Sequence, residues 1–115
     1  MKHIIHVDNS EFFRKLMKTF LSELGLESES FERGEDAINA VKAGKANCVI
    51  TGLSLADMSG EEFIKRLTVT NQALSVLVVT SSGGEAHTAR LNALKVKAII
   101  HKSGDWKGEL REIFH

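Results

Sequence analysis

Short apolar runs along this chain alternate with segments whose apolar residues recur at helical spacing. His3 to Val7 is the first apolar run, and it breaks at Asp8-Asn9-Ser10. Phe12, Leu16, Phe20 and Leu24 then follow at intervals of four, with Phe13, Met17 and Leu21 beside them. That spacing predicts a wide apolar stripe on one helix, capped by Asn9 or Ser10 and ended at Gly25. Glu27 to Phe31 is mostly polar, as suits an edge strand. Ala37, Ile38 and Val41 mark a second helix that stops near Gly44, and Asn47 to Thr51 reads as a strand covered on both faces. Ser59 and Glu62 form a capping-box pattern ahead of Phe63, Ile64 and Leu67. Leu74 to Thr80 is the most strand-like stretch. After the Ser81–Gly84 loop, which is poor in packing residues and expected to be mobile, Ala86, Ala89, Ala93 and Leu94 mark a helix. Ala98 to His101 is the last strand, and Trp106, Leu110, Ile113 and Phe114 line a last helix cut short by the chain end.

Strands alternating with helices predict an α/β fold, a doubly wound, flavodoxin-like (βα)5 domain. Right-handed crossovers leave few topologies for its five-stranded parallel sheet, of which the order 2-1-3-4-5 is the common one. Ligands of such sheets lie beyond the carboxyl ends of the strands. This singles out Asp8 and Asn9, Thr51 to Ser54, Thr80 and Ser81, and Lys102.

Composition narrows the partners. The 115 residues make one domain, expected to be the N-terminal part of a longer chain because the last helix is short. The net charge of zero gives no electrostatic reason to expect nucleic acid or an anionic membrane surface. No apolar run approaches the roughly 18 residues a membrane span needs. The polar N-terminus does not read as a signal peptide, and the lone Cys48 excludes an internal disulfide. A cytoplasmic location is expected.

The residues at the strand ends resemble the receiver domains of response regulators, the two-component family that includes the chemotaxis receiver. HVDNSEFFRKLM resembles the family's first strand and acidic turn, with Arg14 in place. FERGEDAI resembles the approach to the second helix, and CVITGLSLADMSGEEF the third strand and its loop. VLVVTSS carries the switch threonine as Thr80, and AIIHKS the phosphate-binding lysine as Lys102. The resemblance spans nearly the whole chain.

The departures bear on function. Counting back from Met58 and Gly60 puts Gly52 where the family has its phosphate-accepting aspartate. Asn9 replaces the second acidic residue of the first turn, Ala56 the loop proline, Ser103 the proline after the lysine, and Ile99 the aromatic switch residue. In an intact receiver an aspartate attacks the phosphoryl group, a divalent metal neutralises charge, and lysine and threonine hold the phosphoryl oxygens. Glycine has no nucleophile. One remaining carboxylate, Asp8, even helped by Ser54, is expected to hold Mg²⁺ weakly or not at all. No catalytic residue and no cofactor is therefore expected, and the chain reads as an atypical receiver (pseudo-receiver) that is not an enzyme.

The resemblance implies a protein partner, or a second copy, at the fourth helix, fifth strand and fifth helix, with Ile99, Trp106 and Leu110 as candidate contacts, although Trp106 on the last helix also reads as a core residue. The alternatives are an anion or small-ligand site in the vacated pocket of Asp8, Asn9, Gly52, Thr80, Ser81 and Lys102, or phosphorylation at Asp57 or Asp8 instead. Asp57 also reads as a turn residue beside the Ser59 cap. Asp8 and Lys102 either pair directly or stand apart as solvated charges. With no proline after Lys102, a trans peptide is expected there, since a cis bond to another residue costs about 2.5–4 kcal/mol. His6 and His101 fall on strands that this order does not make neighbours, so they do not suggest a metal site. His87 reads as solvated and Cys48 as a buried small hydrophobe.

Overall fold

The computed structural model describes residues 3–44, 46–70, 73–81 and 85–114, with backbone only for 85–87. The expectations for the loop at residues 82–84 and for the side chains of Ala86 and His87 lie outside the described residues.

Five strands, β1 (His3–Val7), β2 (Glu27–Phe31), β3 (Cys48–Thr51), β4 (Ser75–Thr80) and β5 (Ala98–His101), alternate with five helices. These are α1 (Glu11–Glu23), α2 (Gly34–Lys42), α3 (Gly60–Thr70), α4 (Glu85–Ala93) and α5 (Trp106–Ile113). The sheet is parallel throughout in the order β2-β1-β3-β4-β5, a flavodoxin-like fold. Its central strands are buried on both faces, which is why they read as unbroken apolar runs. Alternate residues point to opposite layers. Ile5, Val7, Val49 and Val78 face Ile38, Phe63, Leu67 and Leu91 of α2, α3 and α4. Ile4, Ile50, Leu77 and Ile100 face Phe13, Met17, Phe20, Trp106 and Leu110 of α1 and α5.

Local signals act as the sequence predicts at most boundaries. Ser10 caps α1, its Oγ accepting from Phe13 N at 3.1 Å. Gly25 and Gly44 end α1 and α2 with φ of +76° and +79°, where a Cβ would be strained. Ser59 Oγ accepts from Glu62 N at 3.1 Å, but the Glu62 carboxylate turns to Arg66 at 3.0 Å, so only half of the capping box forms. Two faces differ from the sequence reading. Phe12 is 74% exposed, because at about 100° per residue it lies a quarter-turn from the stripe centred on Phe13, Met17 and Phe20. In α4, Leu91 faces the core while Ala89 and Ala93 are exposed, since the larger side chain gains more from burial.

Candidate functional site

The site residues meet at the carboxyl ends of β1, β3, β4 and β5. Asp8 N–H donates to Phe31 O at 3.0 Å, which seats the turn after β1 against β2. Arg14 Nη1 donates to Asp8 O at 2.7 Å, so the residue one turn into α1 ties down the same turn. Asp8 itself is 4% exposed. Its Oδ1 accepts from Ser10 N at 2.9 Å, and its Oδ2 lies 2.9 Å from Lys102 Nζ. That second contact is a close ion pair whose angles fall outside those of a hydrogen bond. Of the two sequence-based readings, direct pairing is the one observed.

Lys102 is positioned from two sides. Its N–H donates to Thr80 O at 2.8 Å, which extends the β4–β5 ladder by one rung. Its ammonium stands 4.1 Å from the centroid of the Phe13 ring, within cation–π range. The ring itself packs edge-on against Trp106 and His6. The peptide after Lys102 is trans, as expected without proline.

Gly52 follows β3, its N–H donating to Val7 O at 2.9 Å. A Cβ added there would lie 3.0 Å from Asp8 Oδ2 and 3.3 Å from Asp8 Cγ. The Asp8 carboxylate therefore leans over the space that a side chain at position 52 would take. Thr51 is fully buried and its Oγ1 donates to Gly52 O at 2.8 Å, which leaves it turned away from any attacking role. Asp8, Asn9, Gly52, Ser54, Thr80, Ser81 and Lys102 line one open cleft of about 230 Å³.

Gly60 and Met58, the residues that anchor the third motif, close the loop beneath this cleft. A Cβ on Gly60 would overlap the Gly52 carbonyl oxygen and stand 2.8 Å from Leu53 Cα. Met58 covers Gly34 at the start of α2, where a Cβ would meet Met58 Sδ at 2.8 Å.

Asp57 has a role the sequence reading missed. Its Oδ1 accepts from Gly34 N at 2.7 Å and its Oδ2 from Glu35 N at 3.1 Å. It caps α2 from a distant loop, because Arg33 at the N-cap position makes no side-chain bond to the helix. The only sequence signal was that Glu32-Arg33-Gly34 lacks a capping side chain. Burial pushes the Asp57 carboxyl up, but the bonds from Glu35 and Gly34, with Arg33 nearby, outweigh it and hold the group below its usual value of 3.8. Asp57→Ala is expected to cost about 1 kcal/mol, read from urea unfolding at neutral pH. Because the folded pKa is depressed, the part of this loss due to the charge is full above pH 3.8 and fades as pH falls through the folded value. A loss that persists unchanged in acid would mean that packing, not the charged cap, carries it.

Of the two readings of Trp106 the core one is observed, and Leu110 needs correction as an interface candidate. Trp106 is 8% exposed and Leu110 fully buried, both on the α5 face that packs on α1. Trp106 is edge-on to Phe13 at 5.0 Å and to Phe20 at 5.3 Å. An amphipathic last helix must bury its apolar stripe on the sheet, so neither residue is an exposed anchor. Ile99 is partly exposed on β5. His6 and His101 are separated by β3 and β4 in the sheet. Cys48 is buried.

The family's divalent metal can be tested against these groups. Both carboxylate oxygens of Asp8 are engaged, and among the described residues no three of His, Cys, Asp or Glu converge. The residues present do not fit a hard cation that needs several free oxygens.

The sequence matches the response regulator receiver domain family over residues 4–114. This chain belongs to that family. The receiver domain is similar to the chemotaxis protein CheY1 of Helicobacter pylori, at 28% identity over 96 residues, covering 80% of this chain and 76% of that protein. It is also similar to the autoinducer 1 sensor kinase/phosphatase LuxN of Vibrio campbellii, at 22% identity over 112 residues and 90% of this chain. The match spans only 13% of the length of that sensor kinase. Among solved structures, a CheY-like receiver domain protein from Methanospirillum hungatei shares the fold with a TM-score of 0.90 at 19% identity, over 99% of this chain and 91% of that one. Among the described residues of the receiver domain, no helix is long and apolar enough to cross a membrane.

Proposed function

We propose that this receiver domain signals by binding a protein partner without accepting a phosphoryl group. The observation that carries the reading is Gly52. It lies at the base of the strand-end cleft, where the family resemblance puts the acceptor aspartate, and the Asp8 carboxylate leans over it. Neither alternative carboxylate is poised to replace it, since Asp57 is bonded to the start of α2 and Asp8 is paired with Lys102. With a single engaged carboxylate, Mg²⁺ binding is expected to be weak or absent. The partner face is the one formed by α4, β5 and α5. With Trp106 and Leu110 in the core, Ile99 and the exposed Ala89 and Ala93 are apolar contacts that it offers among the described residues.

Intact mass and amide NMR with acetyl phosphate, and with beryllofluoride plus Mg²⁺, test the reading on this protein and on Gly52→Asp. This protein is expected to show no mass gain and no shifts, whereas Gly52→Asp is expected to respond. Because a side chain at 52 crowds Asp8 Oδ2, the variant is also expected to shift the amides of Asp8 and Lys102 before any reagent is added. A phosphoryl adduct on the unmodified chain would overturn the proposal and direct attention to Asp8 and Asp57.

A further inference from the structure

We infer that Asp8 is a built-in anion for Lys102, occupying in cis the place of an external oxyanion and so keeping the cleft closed to one. The inference deepens the reading above, and rests on it for the absence of an acceptor at position 52.

Several features of the cleft support it. The Asp8 carboxylate reaches the space above Gly52, within 3.0 Å of where a Cβ would be. From there its Oδ2 meets Lys102 Nζ at 2.9 Å, and its Oδ1 is held by Ser10 N–H at 2.9 Å, so the carboxylate is fixed at both ends. The ammonium rests on the Phe13 ring at 4.1 Å, and the backbone N–H of Lys102 donates to Thr80 O, which fixes the base of its side chain. The Asp8 side chain is 6% exposed and that of Lys102 21% exposed, so the pair is poorly screened by solvent. The remaining lining is that of an oxyanion site. Thr80, Ser81 and Lys102 border about 230 Å³, room enough for a phosphate- or sulfate-sized group. Such a group reaching Lys102 now would sit against a carboxylate of like charge, which works against binding.

Glycine at 52 and the Asp8–Lys102 pair are thus a single arrangement. The small residue lets the aspartate lean across, and the aspartate neutralises a lysine that would otherwise be a partly buried, unpaired cation. The ligand class that the cleft is shaped for, and barred from, is a small tetrahedral oxyanion.

Titrating the labelled chain with inorganic phosphate, followed by amide NMR, tests this directly. The protein itself is expected to show no saturable shifts. Asp8→Asn keeps an oxygen for Ser10 N–H and is expected to remain folded. It should gain saturable shifts at Thr80, Ser81 and Lys102, with affinity raised on the order of tenfold. Adding Lys102→Gln to Asp8→Asn should abolish them. Equal phosphate binding by the protein and Asp8→Asn would overturn the inference, as would no binding by a folded Asp8→Asn. These outcomes are separate from the acetyl phosphate experiment, which reads a covalent adduct instead of reversible binding.

Discussion

Phe13→Ala is expected to lower stability by about 3–5 kcal/mol, the largest effect of any single truncation considered for this domain, and to loosen the functional cleft at the same time. Phe13 is 6% exposed on the sheet-facing side of α1. Its ring meets Trp106 edge-on at 5.0 Å and His6 at 5.9 Å, with interplanar angles of 61° and 63°. On its remaining side it supports the Lys102 ammonium. Truncation leaves a cavity that α1, held by its Ser10 cap and by Met17 and Phe20, cannot collapse to fill. It also removes two oriented aromatic contacts, worth about 0.5–1.5 kcal/mol each beyond their buried area. Phe13→Leu separates these causes. It keeps most of the volume but no ring, and is expected to cost less than half as much while still shifting the Lys102 signals. Urea unfolding of the three proteins at neutral pH measures the first effect, and side-chain NMR of Lys102 the second. A loss below about 1 kcal/mol for Phe13→Ala would mean that α1 repacks and that Phe13 is not the hub between core and cleft.

The second large effect is a dependence of stability on pH set by His6. This residue is 2% exposed near the carboxyl end of β1, and neither ring nitrogen has a hydrogen-bond partner among the described residues. Burial lowers its pKa from 6.5 to about 4. Asp8 pulls the other way, while the positive charges of Lys102 and Arg14 add to the depression. Between those two values the unfolded chain binds a proton at this position that the folded chain does not. Stability therefore rises with pH across that window and falls as the solution is acidified from 6.5 towards 4. The span corresponds to roughly 3–4 kcal/mol at about 1.4 kcal/mol per unit. His6→Leu is expected to remove this part of the slope, and to gain about 1 kcal/mol at neutral pH by deleting two unpartnered polar atoms. Chemical unfolding of both proteins at several pH values provides the check. Parallel curves between pH 6.5 and 4 would mean that His6 finds a partner or becomes hydrated in the folded state. Asp57 does not confuse the result, because its contribution fades below 3.8.

Much of the architecture was legible in the chain. β1 and β5 fall where the apolar runs predict, β2 falls on the polar run read as an edge strand, and β3 and β4 begin one residue later than expected. The central strands were readable because strands buried on both faces have to be apolar, and the helices because their ends need glycine or a hydroxyl where the backbone runs out of partners. The strand-end site was legible as well, since a parallel doubly wound sheet brings the carboxyl ends of β1, β3, β4 and β5 together whatever the side chains are. Facing was less readable. Phe12 belongs to the apolar pattern but lies outside the buried arc, and α4 carries small residues that do not say which side meets the sheet. Leu91 was passed over for the alanines for that reason.

By itself, then, the amino-acid order determined the (βα)5 fold, the family and the set of polar residues at the strand ends, because periodicity and strand polarity are local properties that survive without coordinates. Tertiary structure decided what those residues do to one another. The sequence left Asp8 and Lys102 equally open to pairing and to solvation, and only the fold shows that glycine at 52 leaves space for the carboxylate to lean into. It also assigned Asp57 to a helix that begins 23 residues earlier in the chain, decided for the core in the case of Trp106, and moved Leu110 from a candidate surface into the core. The physical reason is the same each time. Pairing, capping in trans and burial depend on distances between residues far apart in sequence, which no local pattern encodes and which packing against the sheet sets.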